Sequence, residues 1–246
     1  MSDIALRPSY WANVSGGKDS LYMLKLILEN PKKYPLSGVV HFELEIDYPF
    51  IANVIDYMEY ECNRVGVPFA RVKPSLSWYT LLEKYGFPTR KARWCNNMYK
   101  VDAGRKINAY LRNQGWDMIS YIGYCVDEEK RYAHRSAKRE RYPLVEEGIV
   151  EADILKWAKT VPVFNDYYKY NNRCGCMYCP MASRNELAYL LKYYPQNYAY
   201  LMKTARETES ARERELGRQF SCWSSNPKYN TEWVDRSVRE KYLPRL

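Results

Sequence analysis

Tyr10-Trp11-Ala12-Asn13-Val14, then Ser15-Gly16-Gly17-Lys18-Asp19-Ser20, then Leu21, Leu24, Lys25 and Leu28 at helical spacing: this run decides the fold. It reads as strand, glycine-rich turn and helix. Two adjacent glycines let backbone N–H groups approach phosphate oxygens closely. The helix N-terminus adds partial positive charge, and Lys18 adds a full one. Ser15 and Ser20 supply hydroxyl donors. The spacing is not that of the Walker A loop, which separates its first glycine from Gly-Lys-Ser/Thr by four residues. A polyphosphate site is therefore expected at Ser15, Gly16, Gly17, Lys18, Asp19 and Ser20.

The rest of the first half alternates in the same way. Strands are expected at 10–14, 37–42, 68–72 and 118–123. Helices are expected at 19–29, 51–65 and 97–113, the last with Val101, Ile107 and Leu111 spaced for burial. Residues 75–95 have no clean period and read as a loop. Strands alternating with helices imply an α/β fold, a doubly wound parallel sheet with right-handed crossovers. Ligands of such sheets bind at the carboxyl ends of the strands. After residue 141 the pattern turns helical, at 150–159, 183–194 and 197–216, with a capping box at Ser183–Glu186. The last 25 residues read as an irregular polar tail. A boundary is expected near 145, with an α/β nucleotide-binding core over 1–145 and a helical, cysteine-bearing part over 146–246.

The 246 residues are 46% hydrophobic, enough for a sizeable core and against disorder. No apolar run approaches the roughly 18 residues of a membrane span. Met1-Ser2-Asp3-Ile4 lacks a signal-peptide pattern. The expectation is a cytoplasmic protein with no membrane partner, its seven cysteines reduced or bound to metal. Net charge is +9, from 38 basic and 29 acidic residues. The excess gathers at Arg90, Lys91, Arg93, Lys100, Arg105 and Lys106, and again at Lys130, Arg131, Arg135, Lys138, Arg139 and Arg141. Such clusters attract nucleotides and nucleic-acid backbones. Most of the 25 tyrosines are expected to pack cores or interfaces.

Arg173-Cys174-Gly175-Cys176-Met177-Tyr178-Cys179-Pro180 is the second chemical feature. Three thiols in six residues favour zinc or an iron–sulfur group. A fourth ligand is sought among Cys62, Cys95, Cys125 and Cys222. Cys95 fits best, in a basic loop before a helix, where nearby cations lower a thiol pKa. Cys62 falls in mid-helix and reads as buried. Cys125 ends a strand near the expected nucleotide. Cys222 lies in the tail and reads as exposed. The metal set is therefore Cys95, Cys174, Cys176 and Cys179, with a 4Fe–4S cluster expected and zinc as runner-up. Cys95 comes from the α/β part and the other three from the helical part, so a shared cluster would clip the two together.

These motifs, in this order, resemble the phosphoadenosine phosphosulfate (PAPS) reductase family of the PP-loop adenine-nucleotide alpha hydrolases. Ser15–Ser20 is similar to its pyrophosphate loop. Val39–Pro49 is similar to a strand and turn that usually read Val-Val-Phe-x-Asp-Thr-Gly-x-Glu-x-Pro. Arg93-Trp94-Cys95 with Lys100, and Gly123–Arg131 with Asp127 and Glu128, resemble two later elements. Tyr142-Pro143-Leu144 and Glu151–Ile154 resemble the lead-in to the cysteine loop of its iron–sulfur branch. There are departures. Glu43 and Glu45 replace an Asp and a Gly, and Cys125 stands where Arg is frequent. The double cysteine and the C-terminal Glu-Cys-Gly of true reductases are absent. The branch that remains resembles sulfur-transfer components such as those of DNA phosphorothioation.

The resemblance implies binding of ATP with magnesium, cleavage between the alpha and beta phosphates, and iron–sulfur-dependent sulfur transfer to a nucleic acid or small acceptor. Lys18, Asp19, Asp127 and Glu128 would be catalytic, and Lys100 and Arg131 would join the loop in binding nucleotide. A cysteine desulfurase would be a natural sulfur donor, and a homodimer stays open. Two other classes remain: a PAPS or adenosine phosphosulfate (APS) reductase using an external thiol, and a non-catalytic, cluster-stabilised nucleic-acid-binding module.

Overall fold

The computed structural model describes residues 6–134 and 139–246. Arg135 and Lys138 of the second basic cluster, and the first four residues, lie outside them. In chain order the elements are β1 (Arg7–Val14), α1 (Lys18–Glu29), β2 (Gly38–Phe42), α2 (Pro49–Arg64), β3 (Phe69–Val72), α3 (Trp78–Tyr85), α4 (Val101–Asn113), β4 (Trp116–Tyr121), α5 (Glu129–Tyr132), β5 (Glu140–Arg141), α6 (Pro143–Glu146), α7 (Glu151–Ala158), α8 (Tyr167–Tyr170), α9 (Arg184–Tyr193), α10 (Pro195–Leu216) and α11 (Thr231–Ser237). Two compact units share them. The first comprises the chain up to Glu43, Pro49–Pro74 and Asp102–Tyr168. The second comprises Leu44–Tyr48, Ser75–Val101 and Lys169–Leu246.

The first unit is an α/β fold around a five-stranded parallel sheet in the order β3-β2-β1-β4-β5. The chain steps outward from β1 to β2 and β3, then returns to the other side of β1 for β4. Parallel strands are as a rule joined by right-handed crossovers, and stepping to both sides of β1 in that way puts helices on both faces. Ile107 and Leu111 of α4 pack on Val40 and Met118, with Trp11, Phe42, Val72 and Trp116 around them. Leu21, Met23, Leu24 and Ile27 line the buried stripe of α1. Val101, expected in the α4 core, is 39% exposed. Ala103 occupies the inward position instead, because the stripe runs Ala103, Ile107, Leu111. β5, only two residues long, carried no periodic signal.

The order reverses between β1 and β4, so the loops after these two strands flank one crevice. They come very close. A Cβ added to Gly123, just past β4, would stand 3.0 Å from the Asp19 carbonyl oxygen and 3.3 Å from the Ser20 nitrogen. Glycine lets the two loops approach this closely, since a Cβ would force the Asp19–Ser20 backbone to give by a few tenths of an ångström.

The second unit is mostly helical. Residues 75–95, expected as a loop, include α3. Its Ser77 cap accepts from the Tyr79 N–H, and Gly86 ends it. Only Trp78 and Leu81 are buried in this short helix, too few to show a period. The expected tail is likewise folded. Glu209, buried on α10, accepts from the Cys222 and Thr231 N–H groups, both at 2.9 Å. Cys222 and Trp223 are buried rather than exposed, and Val234 and Val238 go into the core with them. Sparse apolar residues in a polar stretch hid this. Among the described residues no helix is long and apolar enough to cross a membrane.

Gly123→Ala should lower stability by about 1–3 kcal/mol, since the new methyl meets backbone that cannot turn aside. Chemical denaturation against the parent checks it; an unchanged midpoint would mean the two loops are free to separate.

Candidate functional site

β1 runs straight into the glycine turn, and α1 starts at Lys18 with Gly17 as its cap. Gly16 takes a left-handed φ of 75°, and a side chain there would strike Ile51 of α2. Gly17 is different. Its φ is −81°, and a Cβ would meet nothing closer than 3.6 Å. The fold does not need a glycine at 17. Its bare backbone leaves approach space at the helix N-terminus. Ser20 Oγ donates to the Gly17 carbonyl at 2.9 Å and accepts from the Ser15 N–H at 3.2 Å, bracing the turn.

Lys18 is 1% exposed. Its ammonium donates to Asp19 Oδ1 at 2.7 Å and to Glu151 Oε1 at 2.9 Å. Its backbone N–H donates to the Tyr168 hydroxyl at 2.8 Å. Burial by itself lowers an ammonium pKa, but the two carboxylates more than offset it, and Lys18 is raised above its ordinary value. Burial raises Asp19, with the like charges of Glu128 and Glu151 adding to it and Lys18 opposing.

The β4 loop completes the rim. Asp127 accepts from the Glu151 N–H at 3.0 Å, setting the start of α7. Glu128 accepts from the Cys125 N–H at 3.2 Å and pairs with Arg131. Arg131 lies over the Tyr124 ring at 4.5 Å. Cys125 is fully buried, its sulfur 4.0 Å from Asp19 Oδ1. The predicted residues of this unit, Ser15–Ser20, Asp127, Glu128 and Arg131, thus share one crevice. Glu151 and Tyr168 were not singled out. Glu151 stood inside a quoted motif without a role, and nothing distinguished Tyr168 among its neighbouring tyrosines. The rim holds four carboxylates, Asp19, Asp127, Glu128 and Glu151, against Lys18 and Arg131.

Lys100 belongs to the second unit, with all four predicted metal cysteines, Cys95 included. A shared group would therefore lie within one unit and would not clip the α/β part to the helical part as expected. Lys100 ends a π-helical turn, Cys95–Lys100, and donates to Cys176 Sγ at 3.0 Å. Arg173 donates to Cys179 Sγ at 3.5 Å. The Met177 N–H donates to the Ile46 carbonyl at 2.9 Å, tying the cysteine loop to the segment that carries Asp47. Burial pushes the Cys176 thiol up to about 12, with Lys100 opposing. Burial also raises Cys174 and Cys95. Asp47, unassigned by the sequence reading, is pushed by burial up to about 6, against Lys100 and a hydrogen bond with Cys176. The charges of Cys95 and Cys179, Cys176 and Cys179, and Cys174 and Cys176 act on one another, which puts the four in one neighbourhood. Among the described residues no group of three or more His, Cys, Asp or Glu side chains is placed to hold a metal ion. The donor chemistry, four soft thiols with two cations bonded to sulfur, is that of an iron–sulfur or a zinc site.

The Glu45 departure has a structural role. Its carboxylate accepts from the Trp78 N–H at 2.6 Å and from Ser77 Oγ at 3.0 Å, and so caps α3.

No family model matches the chain. It is 25% identical over 210 residues to the uncharacterized protein MJ0066 of Methanocaldococcus jannaschii, covering 78% of this chain and 40% of that one. It is 25% identical over 227 residues to MJ0973 of the same organism, covering 87% and 51%. The chain thus spans about half, or less, of the length of these relatives. Among solved structures it is similar to the U34-tRNA thiolase NcsA from Methanococcus maripaludis with its 4Fe–4S cluster. That match has 17% identity and a TM-score of 0.44, over 92% of this chain and 79% of that one.

Lys18→Met should leave Asp19 and Glu151 facing each other without a cation. A fully buried pair broken in this way costs about 3–5 kcal/mol; with the carboxylates partly exposed, about 1–2 is expected. The sign with pH follows. In the variant Asp19 loses the cation that opposes its upward shift, so stability should recover as pH falls from neutral toward 3.8, its ordinary value. In the parent the Lys18 contribution should be intact below 10.5 and lost as pH rises beyond it. Denaturation curves across pH check both.

Proposed function

We propose that this chain binds ATP as its magnesium complex at the Ser15–Ser20 loop, cleaves it between the alpha and beta phosphates, and activates a nucleic-acid or small acceptor for sulfur transfer. The observation that carries the reading is the loop itself: a braced glycine turn at the carboxyl end of β1, beside the reversal of strand order, with open space kept at Gly17.

The charge balance supports the magnesium complex. Four carboxylates against two cations would repel a bare polyphosphate. A magnesium complex brings its own positive charge, and Asp19, Asp127, Glu128 and Glu151 are hard oxygen donors suited to it. The loop N–H groups and Lys18 would hold the beta and gamma phosphates, stabilising charge as the alpha–beta bridge breaks. An acceptor oxygen attacks the alpha phosphorus and pyrophosphate leaves with the bonding pair. A donor at the oxidation level of hydrosulfide then adds at the acceptor carbon. AMP leaves with the oxygen, and no electrons are gained or lost overall. Cys95, Cys174, Cys176 and Cys179 would hold the iron–sulfur group with one thiolate on each iron, so that group would supply structure or electrons and the hydrosulfide-level donor would come from outside the cluster. Lys100 and Arg173 would steady the thiolates.

Gly17→Ala separates binding from folding. Its melting temperature should match the parent, while Mg–ATP affinity falls by about tenfold or more, because the methyl occupies the phosphate approach. Calorimetry decides it; equal affinity would remove the loop as the binding site. For the thiols, anaerobically purified protein should contain iron. Cys95→Ser and Cys176→Ser should lose it and Cys62→Ala should not, by metal analysis. Iron retained in both serine variants would remove these cysteines as ligands.

A further inference from the structure

A cavity of about 330 Å³ lies within the second unit, and neither the nucleotide loop nor the thiols account for its chemistry. It falls at the lower end of the roughly 300–1,000 Å³ typical of ligand pockets. Two arginines line it: Arg90, exposed on the loop before Cys95, and Arg184, half-buried at the start of α9. Three aromatic residues, Trp223, Tyr229 and Trp233, form much of the rest. Pro180, directly after Cys179, closes one side.

The arginines are the anomaly. Burial lowers the Arg184 pKa, and the Arg90 charge lowers it further while Tyr242 and Tyr198 oppose. Neighbouring Arg173 is balanced by Glu186 at 3.2 Å. Among the described residues neither Arg90 nor Arg184 has a carboxylate within ion-pair reach. The Arg184 guanidinium lies instead 5.3 Å from the Trp233 ring centroid. Two like charges facing one cavity are stabilised by an anion between them, and a guanidinium fork matches a phosphate. The aromatic wall calls for a flat ring beside that phosphate. Tyr229 and Trp233 meet edge to face at 4.7 Å, which fixes their planes. Lys91 and Arg93, also exposed, extend the positive charge along the Arg90 loop toward Cys95.

We infer that this cavity seats one nucleotide of a single-stranded nucleic acid, its phosphate between Arg90 and Arg184 and its base against Trp233 and Tyr229. A phosphate paired with a stacking base is what distinguishes a strand from a free anion or an acidic peptide. The bound strand would present its next nucleotide beside Cys179. The role of the strand as acceptor rests on the function proposed above; its binding does not.

The test uses the full chain and fluorescently labelled single strands of about eight nucleotides, one RNA and one DNA, with a duplex of equal length. Anisotropy should show tight binding of a single strand and weak binding of the duplex, with tryptophan emission quenched. The tighter of the two strands names the sugar. Arg90→Glu and Arg184→Gln should each weaken the strand about tenfold and reduce its salt dependence. Lys203→Glu, on the wall of a different cavity, should stay within about twofold. Arg90→Glu should keep parental Mg–ATP affinity. Equal loss in Lys203→Glu and Arg90→Glu, a duplex bound as tightly as the strand, or unchanged binding in Arg90→Glu would each overturn the inference. Strand binding at this cavity in a protein that does not bind Mg–ATP would instead sink the function proposed above and leave the inference standing.

Discussion

The buried ammonium of Lys18 holds the first unit's crevice together. One side chain joins the glycine turn to Asp19 beside it and to Glu151, 133 residues further along the chain. The Tyr168 hydroxyl fixes the same residue through its backbone. Asp127 then sets the Glu151 backbone, so the loop after β4 is tied in as well. If Lys18 loses its charge, the rim becomes four carboxylates facing one arginine. The same constraint bears on the function proposed above: the crevice has little positive charge to spare, so a polyphosphate would have to arrive with a cation.

The second unit works by a parallel principle with softer chemistry. Lys100 is half-buried and faces sulfur and carboxylate rather than oxygen alone, donating to Cys176 Sγ near the charge of Asp47. It opposes the burial that pushes the Cys176 and Cys95 thiols up. A metal does the same job more strongly, since coordination deprotonates a thiol outright. The α3 cap by Glu45 and the Met177 bond to Ile46 hold the short 44–48 segment against the parts of this unit that carry the thiols.

Much of the first unit was legible because its signals are local. Ser15–Ser20 is contiguous, the strands are short runs rich in apolar and aromatic residues, and a glycine turn can be read without knowing its neighbours. The misses share a cause. Glu151 and Tyr168 reach Lys18 across more than a hundred residues, and no periodicity reports such a pairing. Asp47 sits in a quoted motif, yet its burial beside Lys100 depends on tertiary packing. Helix α3 buries only two residues, and the folded C-terminal stretch is held in part by a buried carboxylate, Glu209, inside a polar sequence. Lys100 is the instructive case. A lysine in a basic run reads as a phosphate contact, but its partner here is a thiol.

The proposed function requires the Ser15–Ser20 crevice to direct attack to the alpha phosphorus of ATP. Phosphorus NMR of the products, with anaerobic protein, Mg–ATP and single-stranded nucleic acid present, decides it. AMP and pyrophosphate in equal amounts are expected. ADP and orthophosphate would overturn it, because the bond broken would then be the beta–gamma bridge.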